Sequence, residues 1–239
     1  MIRLHRTSLP DGLQAALDRR TQRLHKDQVD AEKARKRWNS ASDIRKQLRA
    51  ELSVFAAGLD RCMYCGENVG TDVDHFEPIV RAPLRTYDWF NHLLACSRCN
   101  SQAKGFVFPC DAQGKPLLID PTVEDPYDHL ELSLSTGRYL GRTAKGSRTI
   151  EVLQLNRAEL ELGRERAFIR ATSMLRDIAR LNEEGHREKV GTVVAALCDQ
   201  PFADVLHAML RLRHLPGAQT VLDGPEVVHA LELVGAQQR

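Results

Sequence analysis

Two pairs of closely spaced cysteines constrain this chain more than any other feature of its sequence. Each pair has the pattern C-x2-C: Cys62 with Cys65, and Cys96 with Cys99. A two-residue spacer lets two thiolates approach one ion from a tight turn, and two such turns complete the tetrahedral four-sulfur site that suits zinc. A site of this kind has no open position for catalysis. We therefore expect a structural zinc that fixes both ends of the intervening loop.

Redox pairs and disulfides are the alternatives for these cysteines. A redox C-x-x-C usually accompanies a βαβ pattern, which neither pair has. The first residues, Met-Ile-Arg-Leu-His-Arg, contain no apolar signal core, and no apolar run approaches the ~20 residues needed to span a bilayer. We therefore expect a cytoplasmic protein with no membrane attachment, and a reducing compartment favours metal ligands over disulfides.

The 239 residues divide into three stretches of different character. Residues 1–57 predict a basic helical N-terminal arm, because apolar residues recur at helical spacing and neither proline nor glycine occurs from Leu13 to Ala57. Residues 58–126 are rich in Gly, Pro, Cys, Asp and His and predict a small loop-rich unit that needs a metal. Residues 127–239 predict a hairpin followed by helices. The expected fold class is mainly α with a small central metal-stabilised core.

Positive charge is concentrated in the N-terminal stretch. Residues 19–49 contain eleven Lys and Arg against four acids, whereas the whole chain has a net charge of only +2. Two interpretations remain open: a solvated helical face, or an arm that contacts phosphates. Aromatic residues make up 5% of the chain, which argues against an aromatic base-stacking platform as the main binding surface.

The loop between the cysteine pairs contains a second set of chemically active residues. Asp74 and His75 are adjacent and are followed by Pro78. Neighbouring residues on a strand point to opposite faces, so a bend near Pro78 would let one bind a metal while the other faces a water. A neutral histidine with a pKa near ~6.5 suits proton abstraction, and a hard cation stabilises a departing oxygen. Arg98 and Lys104 lie nearby in sequence and are candidates for phosphate contacts.

The order of these residues resembles the HNH endonuclease family, the ββα-metal nucleases, in the branch whose core contains a four-cysteine zinc. That pattern runs C-x2-C, D-H-x-x-P, an Asn shortly before the second C-x2-C, and then an Asn or His with a nearby Lys. Every position is matched here, in order and in spacing: Cys62, Cys65, Asp74, His75, Pro78, Asn91, Cys96, Cys99, Asn100 and Lys104. The resemblance implies a small central ββα-metal core.

The resemblance also implies roles for individual residues. His75 would be the general base, and Asn91 would brace the loop and fix the orientation of His75. Asp74 and Asn100 would hold one divalent ion, Mg²⁺ or Mn²⁺, which an amide oxygen suits better than an imidazole does. His92 stands where the family usually has an apolar residue, and we interpret it as a packed histidine.

Looser similarities across much of residues 1–170 resemble the PtuB-like HNH component of Septu-type and retron-associated anti-phage systems. This resemblance implies DNA cleavage in phage defence and an ABC/SMC-like (PtuA-like) ATPase partner. Residues 141–147 have only a superficial likeness to a P-loop, because Ser147 occupies the position that requires Lys. In that family an HNH core usually makes one cut per site, so cleavage of both DNA strands would need two copies of the chain. The resemblance therefore also suggests a homo-oligomer.

The rival hypothesis is a non-catalytic, zinc-stapled adaptor that binds DNA or protein without cutting. An adaptor accounts for the cysteines and for the basic helices. It does not account for Asp74, His75, Asn91 and Asn100 occurring together.

Overall fold

A computed structural model describes residues 1–237 and is mainly helical. The elements in the first half of the chain are α1 (Asp11–Lys26), α2 (Ala31–Ser40), α3 (Ser42–Ser53), β1 (Asp72–His75) and β2 (His92–Ala95). Those in the second half are β3 (Leu130–Leu132), β4 (Tyr139–Gly141), α4 (Ala144–Val152), α5 (Ala158–Glu183), α6 (Arg187–Cys198), α7 (Ala203–Leu212), α8 (Ala218–Val221) and α9 (Pro225–Gln237).

The predicted N-terminal arm, residues 1–57, contains three separate helices. Helix α1 ends before Gln28, whose φ of +44° is incompatible with a helix. Helix α2 begins after Asp30, whose Oδ1 accepts a hydrogen bond from the Lys33 amide at 2.8 Å. Helix α3 packs on both β1 and β2. The N-terminal helices therefore form one wall of the central unit.

The central unit is built on two short antiparallel strands, β1 and β2. In their register His75 of β1 lies opposite His92 of β2. The second cysteine pair follows β2 and leads into a π-helical segment, Arg98–Lys104. Gly105 ends this segment with a φ of +50° while its amide bonds to the Asn100 carbonyl at 2.7 Å. Strand, strand and helix thus meet beside the cysteines.

The C-terminal region contains the predicted hairpin, β3 with β4, and a layer of helices. The apolar periodicity that follows the hairpin is divided between two helices, α4 and α5, because the chain turns at Gln154 with a φ of +49°. Helix α5 packs on α6, α7 and α9. Among residues 1–237 no single helix is long and apolar enough to cross a bilayer; α6 and α7 pass that test only as a pair bent by 116°.

A buried ionic cluster joins the start of the chain to the C-terminal layer. The Asp204 carboxylate of α7 lies 2.8 Å from the Met1 ammonium and 3.3 Å from Nε of Arg164. The Tyr139 hydroxyl donates to the same carboxylate. Burial alone would raise the pKa of Asp204, but attraction to the two cations outweighs it and lowers the pKa.

Candidate active site

The four predicted cysteine ligands come together in one buried cluster. Their Sγ atoms all lie within 4.8 Å of one another, and Sγ of Cys65 is 4.0 Å from Sγ of Cys96. Zinc bonds of about 2.3 Å to four sulfurs place those sulfurs ~3.8 Å apart. The spacing and the all-sulfur donor set therefore fit a tetrahedral zinc.

Short turns hold the first cysteine pair in place. The Cys62 amide donates to the Asn68 carbonyl at 2.8 Å, and the Gly66 amide donates to the Cys62 carbonyl at 2.9 Å. Burial raises the pKa of the Cys62 thiol, whereas a hydrogen bond with Cys62 lowers the pKa of Cys65. Hydrogen bonds among the four packed thiols thus favour one thiolate at the expense of its neighbours, and a divalent cation at their centre would let all four ionise.

A guanidinium from the C-terminal region lies beside this cluster. Burial alone would lower the pKa of Arg157, but attraction to Cys99 and Cys65 raises it. A zinc bound by four thiolates has two excess negative charges, which a neighbouring cation partly neutralises. Arg157 therefore links the residues that precede α5 to the metal-binding turns.

His75 has one ring nitrogen in a defined hydrogen bond. Its Nε2 lies 2.9 Å from the Thr86 carbonyl oxygen, and because a carbonyl can only accept, Nε2 carries the proton. Nδ1 then has the lone pair. Within the described part of the chain Nδ1 has no hydrogen-bond partner, and it is not sealed from solvent. The imidazole is thus held in the tautomer that can accept a proton at Nδ1.

The His75 ring is otherwise packed against aromatic side chains. Trp38 of α2 approaches it edge-on with ring centroids 4.5 Å apart, and the residue is only 8% exposed. Burial lowers the pKa of His75 to about 4, because a low-polarity environment disfavours the charged imidazolium. His75 is therefore neutral near pH 7.

This burial predicts a pH-dependent stability. The pKa of His75 is about 4 in the folded protein against 6.5 as an ordinary value, so the unfolded chain binds the proton first. The contribution of neutral His75 to the free energy of unfolding is complete above about pH 6.5. It decreases by up to about 3 kcal/mol as the pH falls towards about 4. Urea unfolding is measured at pH 7.5 and at pH 5.5. Between these two values the free energy of unfolding should decrease less for His75→Gln than for wild type. An equal loss would contradict the prediction, and the exposed His25→Gln should behave as wild type.

His92 is the buried neighbour of His75. It stacks on Trp38 with centroids 5.3 Å apart, and its Nε2 lies 3.1 Å from the same Thr86 oxygen. A carbonyl oxygen has two lone pairs, so it can accept from both imidazoles. Burial lowers the pKa of His92 well below its ordinary value. The residue is packed, as predicted, and it also helps to fill the space beside the His75 ring.

Asp74 faces away from His75, into the space between β1 and the π-helical segment. Its Oδ1 accepts from Nζ of Lys104 at 3.0 Å, and its Oδ2 accepts from the Tyr64 hydroxyl at 2.5 Å. The Lys104 ammonium also donates to the His75 carbonyl at 2.7 Å. In this arrangement both carboxylate oxygens of Asp74 accept from protein donors, and the Lys104 ammonium balances the charge of Asp74.

Asn100 lies near β1 but bonds to a different acid. Its Nδ2 donates to Oδ2 of Asp72 at 3.1 Å. Asp72 and Asp74 are two residues apart on β1 and so share one face of the strand. Carboxylate and amide oxygens are the donors that Mg²⁺ uses. The residue types therefore suit a hard cation, but in this structure Asp74 bonds to Lys104 and Asn100 bonds to Asp72.

Asn91 braces the loop that connects the strands. Its Oδ1 accepts from the Glu77 amide at 2.8 Å, and its Nδ2 donates to the Glu77 carbonyl at 3.0 Å. The side chain is fully buried. These bonds tie the segment after His75 to the turn before β2, which is the position expected of a loop brace.

The two predicted phosphate contacts lie in different environments. Lys104 is 1% exposed, so reaching a phosphate would require breaking its bonds to Asp74 and His75. Arg98 is about half exposed and pairs with Glu159 of α5 at 3.3 Å. Arg98 alone of the two is placed at the surface.

Several residues beside the site were not predicted. Trp38 and Thr86 contact His75, and Tyr64 contacts Asp74, because the tertiary structure brings these residues together. Thr86 acts through its backbone carbonyl, which no residue pattern reveals. Asp72 had a usable signal, since an acid two residues before Asp74 on a strand must share its face.

A comparison with known protein families finds a match, in the segment that contains the candidate active site. Residues 62–105 match the family model described as HNH endonuclease. No curated protein matches the chain. The matched segment includes all four clustered cysteines together with Asp74, His75, Asn91 and Asn100. Residues 62–105 are thus similar to an HNH endonuclease domain built around a four-cysteine cluster, which indicates a nuclease that acts on nucleic acid.

Proposed function

We propose that this protein is a metal-dependent HNH endonuclease that hydrolyses phosphodiester bonds of DNA. The observation that carries the proposal is the state of His75. Its Nε2 proton is committed to Thr86, and its Nδ1 lone pair is left without a protein partner in the described residues. A neutral imidazole held in one tautomer is the form that a general base needs.

The remaining residues of the site would support this base. Nδ1 of His75 would accept the proton of a water that attacks the phosphorus. The Thr86 carbonyl keeps the ring from rotating, and Asn91 holds the loop that follows His75. A stable ring orientation matters because a general base must lie within hydrogen-bond reach of its water.

A divalent ion would supply the charge stabilisation that phosphodiester hydrolysis requires. We propose Asp74 and Asn100 as its ligands, with Asp72 as a further carboxylate on the same face. Binding there requires Asp74 to exchange its bond to Lys104 for the cation. The proposal therefore includes a rearrangement of Lys104, whose charge balances Asp74 in the arrangement described.

The adaptor remains the second candidate, and one observation favours it. The Lys104–Asp74 ion pair is buried and complete, with side chains 0% and 4% exposed. A site that has lost catalysis can keep such a pair as a purely structural element. The adaptor would retain zinc and bind DNA without forming product.

Plasmid digestion separates the two candidates. The zinc-loaded protein is incubated with supercoiled DNA with Mg²⁺, with Mn²⁺ or with no added divalent ion; omission is preferable to a chelator, which would also remove zinc. We expect nicked or linear product only with Mg²⁺ or Mn²⁺. Binding without product under every condition would support the adaptor and contradict the nuclease.

We further propose a role in anti-phage defence with an ABC/SMC-like ATPase. Support comes from the resemblance to PtuB-like proteins and from the departure of residues 141–147 from a P-loop. The apolar residues of α6 and α7 are mostly buried, so these helices serve the core first. Co-expression with the ATPase from a neighbouring gene, followed by co-purification, tests this part.

A further inference from the structure

An aromatic ring at the edge of the candidate active site is exposed and lies under a cation. Phe106 is 62% exposed and follows Gly105 at the end of the π-helical segment. The guanidinium of Arg35, on α2, lies 4.5 Å from the centroid of its ring. A cation over an exposed ring contributes little stability by itself, so the stability of the fold does not account for this pair.

The position of Phe106 is fixed by the residues around it. On one side the Val107 amide donates to the Lys104 carbonyl at 2.9 Å. On the other side Phe108 packs edge-on against Phe76 with centroids 5.4 Å apart. The loop is thus anchored before and after Phe106, which leaves its ring as an ordered, exposed surface.

Two connections place this pair beside His75. Arg35 lies three residues before Trp38 on α2, so both are on one side of the helix, and Trp38 contacts the His75 ring. Phe106 lies two residues after Lys104, whose ammonium bonds to the His75 carbonyl. The Arg35–Phe106 pair therefore borders the site from both the helix side and the loop side.

Unpaired positive charge extends from this pair over the N-terminal helices. Within the part of the chain that the structure describes, each of the four acids of residues 19–49 pairs with one basic residue. Seven basic residues of this stretch make no ion pair there: Arg19, Arg23, Lys26, Arg35, Arg45, Lys46 and Arg49. This excess of unpaired positive charge favours a surface that binds a phosphate backbone. A helical face that is merely solvated would more often pair its charges with one another.

We propose that Phe106, supported by Arg35, stacks on an unpaired base next to the scissile phosphate, so that the substrate is single-stranded or locally opened DNA. This inference rests on the proposed nuclease function and names its substrate class. Every base has a π-face, so one ring can bind any sequence by stacking. The scarcity of aromatic residues excludes an extended platform but not one stacking position.

Fluorescence of 2-aminopurine tests the stacking directly. The probes are a single strand, a duplex with a central bubble and a fully paired duplex, each with 2-aminopurine at the central position. They are titrated into His75→Ala protein, which prevents cleavage. Phe106→Leu in this background should abolish the quenching seen with the single strand and the bubble. It should also weaken their binding on the order of tenfold and leave the paired duplex almost unchanged.

Matched variants keep the test decisive. Phe106→Trp should retain quenching and affinity, and Ile169→Ala, which removes a similarly exposed apolar side chain on α5, should change nothing. Equal affinity of Phe106→Leu and the parent for all three probes would overturn the inference. A different result would separate the two proposals. If quenching depends on Phe106 but the wild-type protein cleaves no substrate, the nuclease function is wrong and the stacking contact is still supported.

Discussion

Cleavage by His75→Ala is expected to be 10²- to 10⁴-fold slower than by wild type, because the variant lacks the group that we propose takes the proton from the attacking water. The measurement is the initial rate of plasmid nicking with Mg²⁺ at equal protein concentration. His75 lies outside the cysteine cluster, so zinc content should stay at the wild-type value. Undiminished nicking by a purified, zinc-loaded variant would show that the general base is another residue.

Two controls separate the loss of a base from the loss of structure. His25→Ala removes an exposed histidine of α1 and should cleave at the wild-type rate. His75→Gln keeps a polar side chain of similar size in the contact with Trp38 but has no titratable nitrogen, so it should be folded and inactive. Activity in His75→Gln would contradict the proposed role as firmly as activity in His75→Ala.

Cys96→Ser is expected to lose zinc and to unfold the central unit. Zinc bound at such sites contributes apparent folding free energies of about 10–16 kcal/mol in isolated peptides, and the two short strands beside this cluster offer little to replace it. Zinc content by mass spectrometry and limited proteolysis of residues 58–126 measure the two effects. A soluble, active Cys96→Ser protein with a full zinc content would show that the cluster is not the predicted site.

Cys110→Ser is the matched control for that variant. Cys110 is partly buried, lies close in sequence to the second pair and does not belong to the cluster. Its substitution should leave zinc content and protease resistance unchanged. The three histidine variants and the two cysteine variants together test whether cleavage and folding depend on different residues.

Sequence patterns predicted most of the secondary structure, and the misses have local causes. Alternating and helical apolar periodicity identified both hairpin strands and the main C-terminal helices. The interruptions at Gln28 and Gln154 were missed because each depends on a residue with positive φ that is not glycine. Asp30 was a readable helix-start signal that the apolar periodicity obscured. The domain boundaries remain predictions.

The candidate site was predictable as a set of residues but not as an arrangement. All four cysteines converge, because C-x2-C turns are local and need only one long-range contact between the two pairs. Lys104 was predicted to contact a phosphate, which stays a prediction, and in the structure its ammonium pairs with buried Asp74. That outcome depends on how the π-helical segment lies against β1, which no spacing rule specifies.

By itself the sequence determined the four cysteines that cluster, the strand that carries Asp74 and His75, and the concentration of positive charge in the first helices. Each of these follows from residue types at short separations. Only the tertiary structure decided that Trp38 covers the His75 ring, that Thr86 selects its tautomer and that Phe106 stays exposed beside Arg35. These contacts join residues distant along the chain, and their geometry is set by the packing of whole helices, which local patterns do not encode.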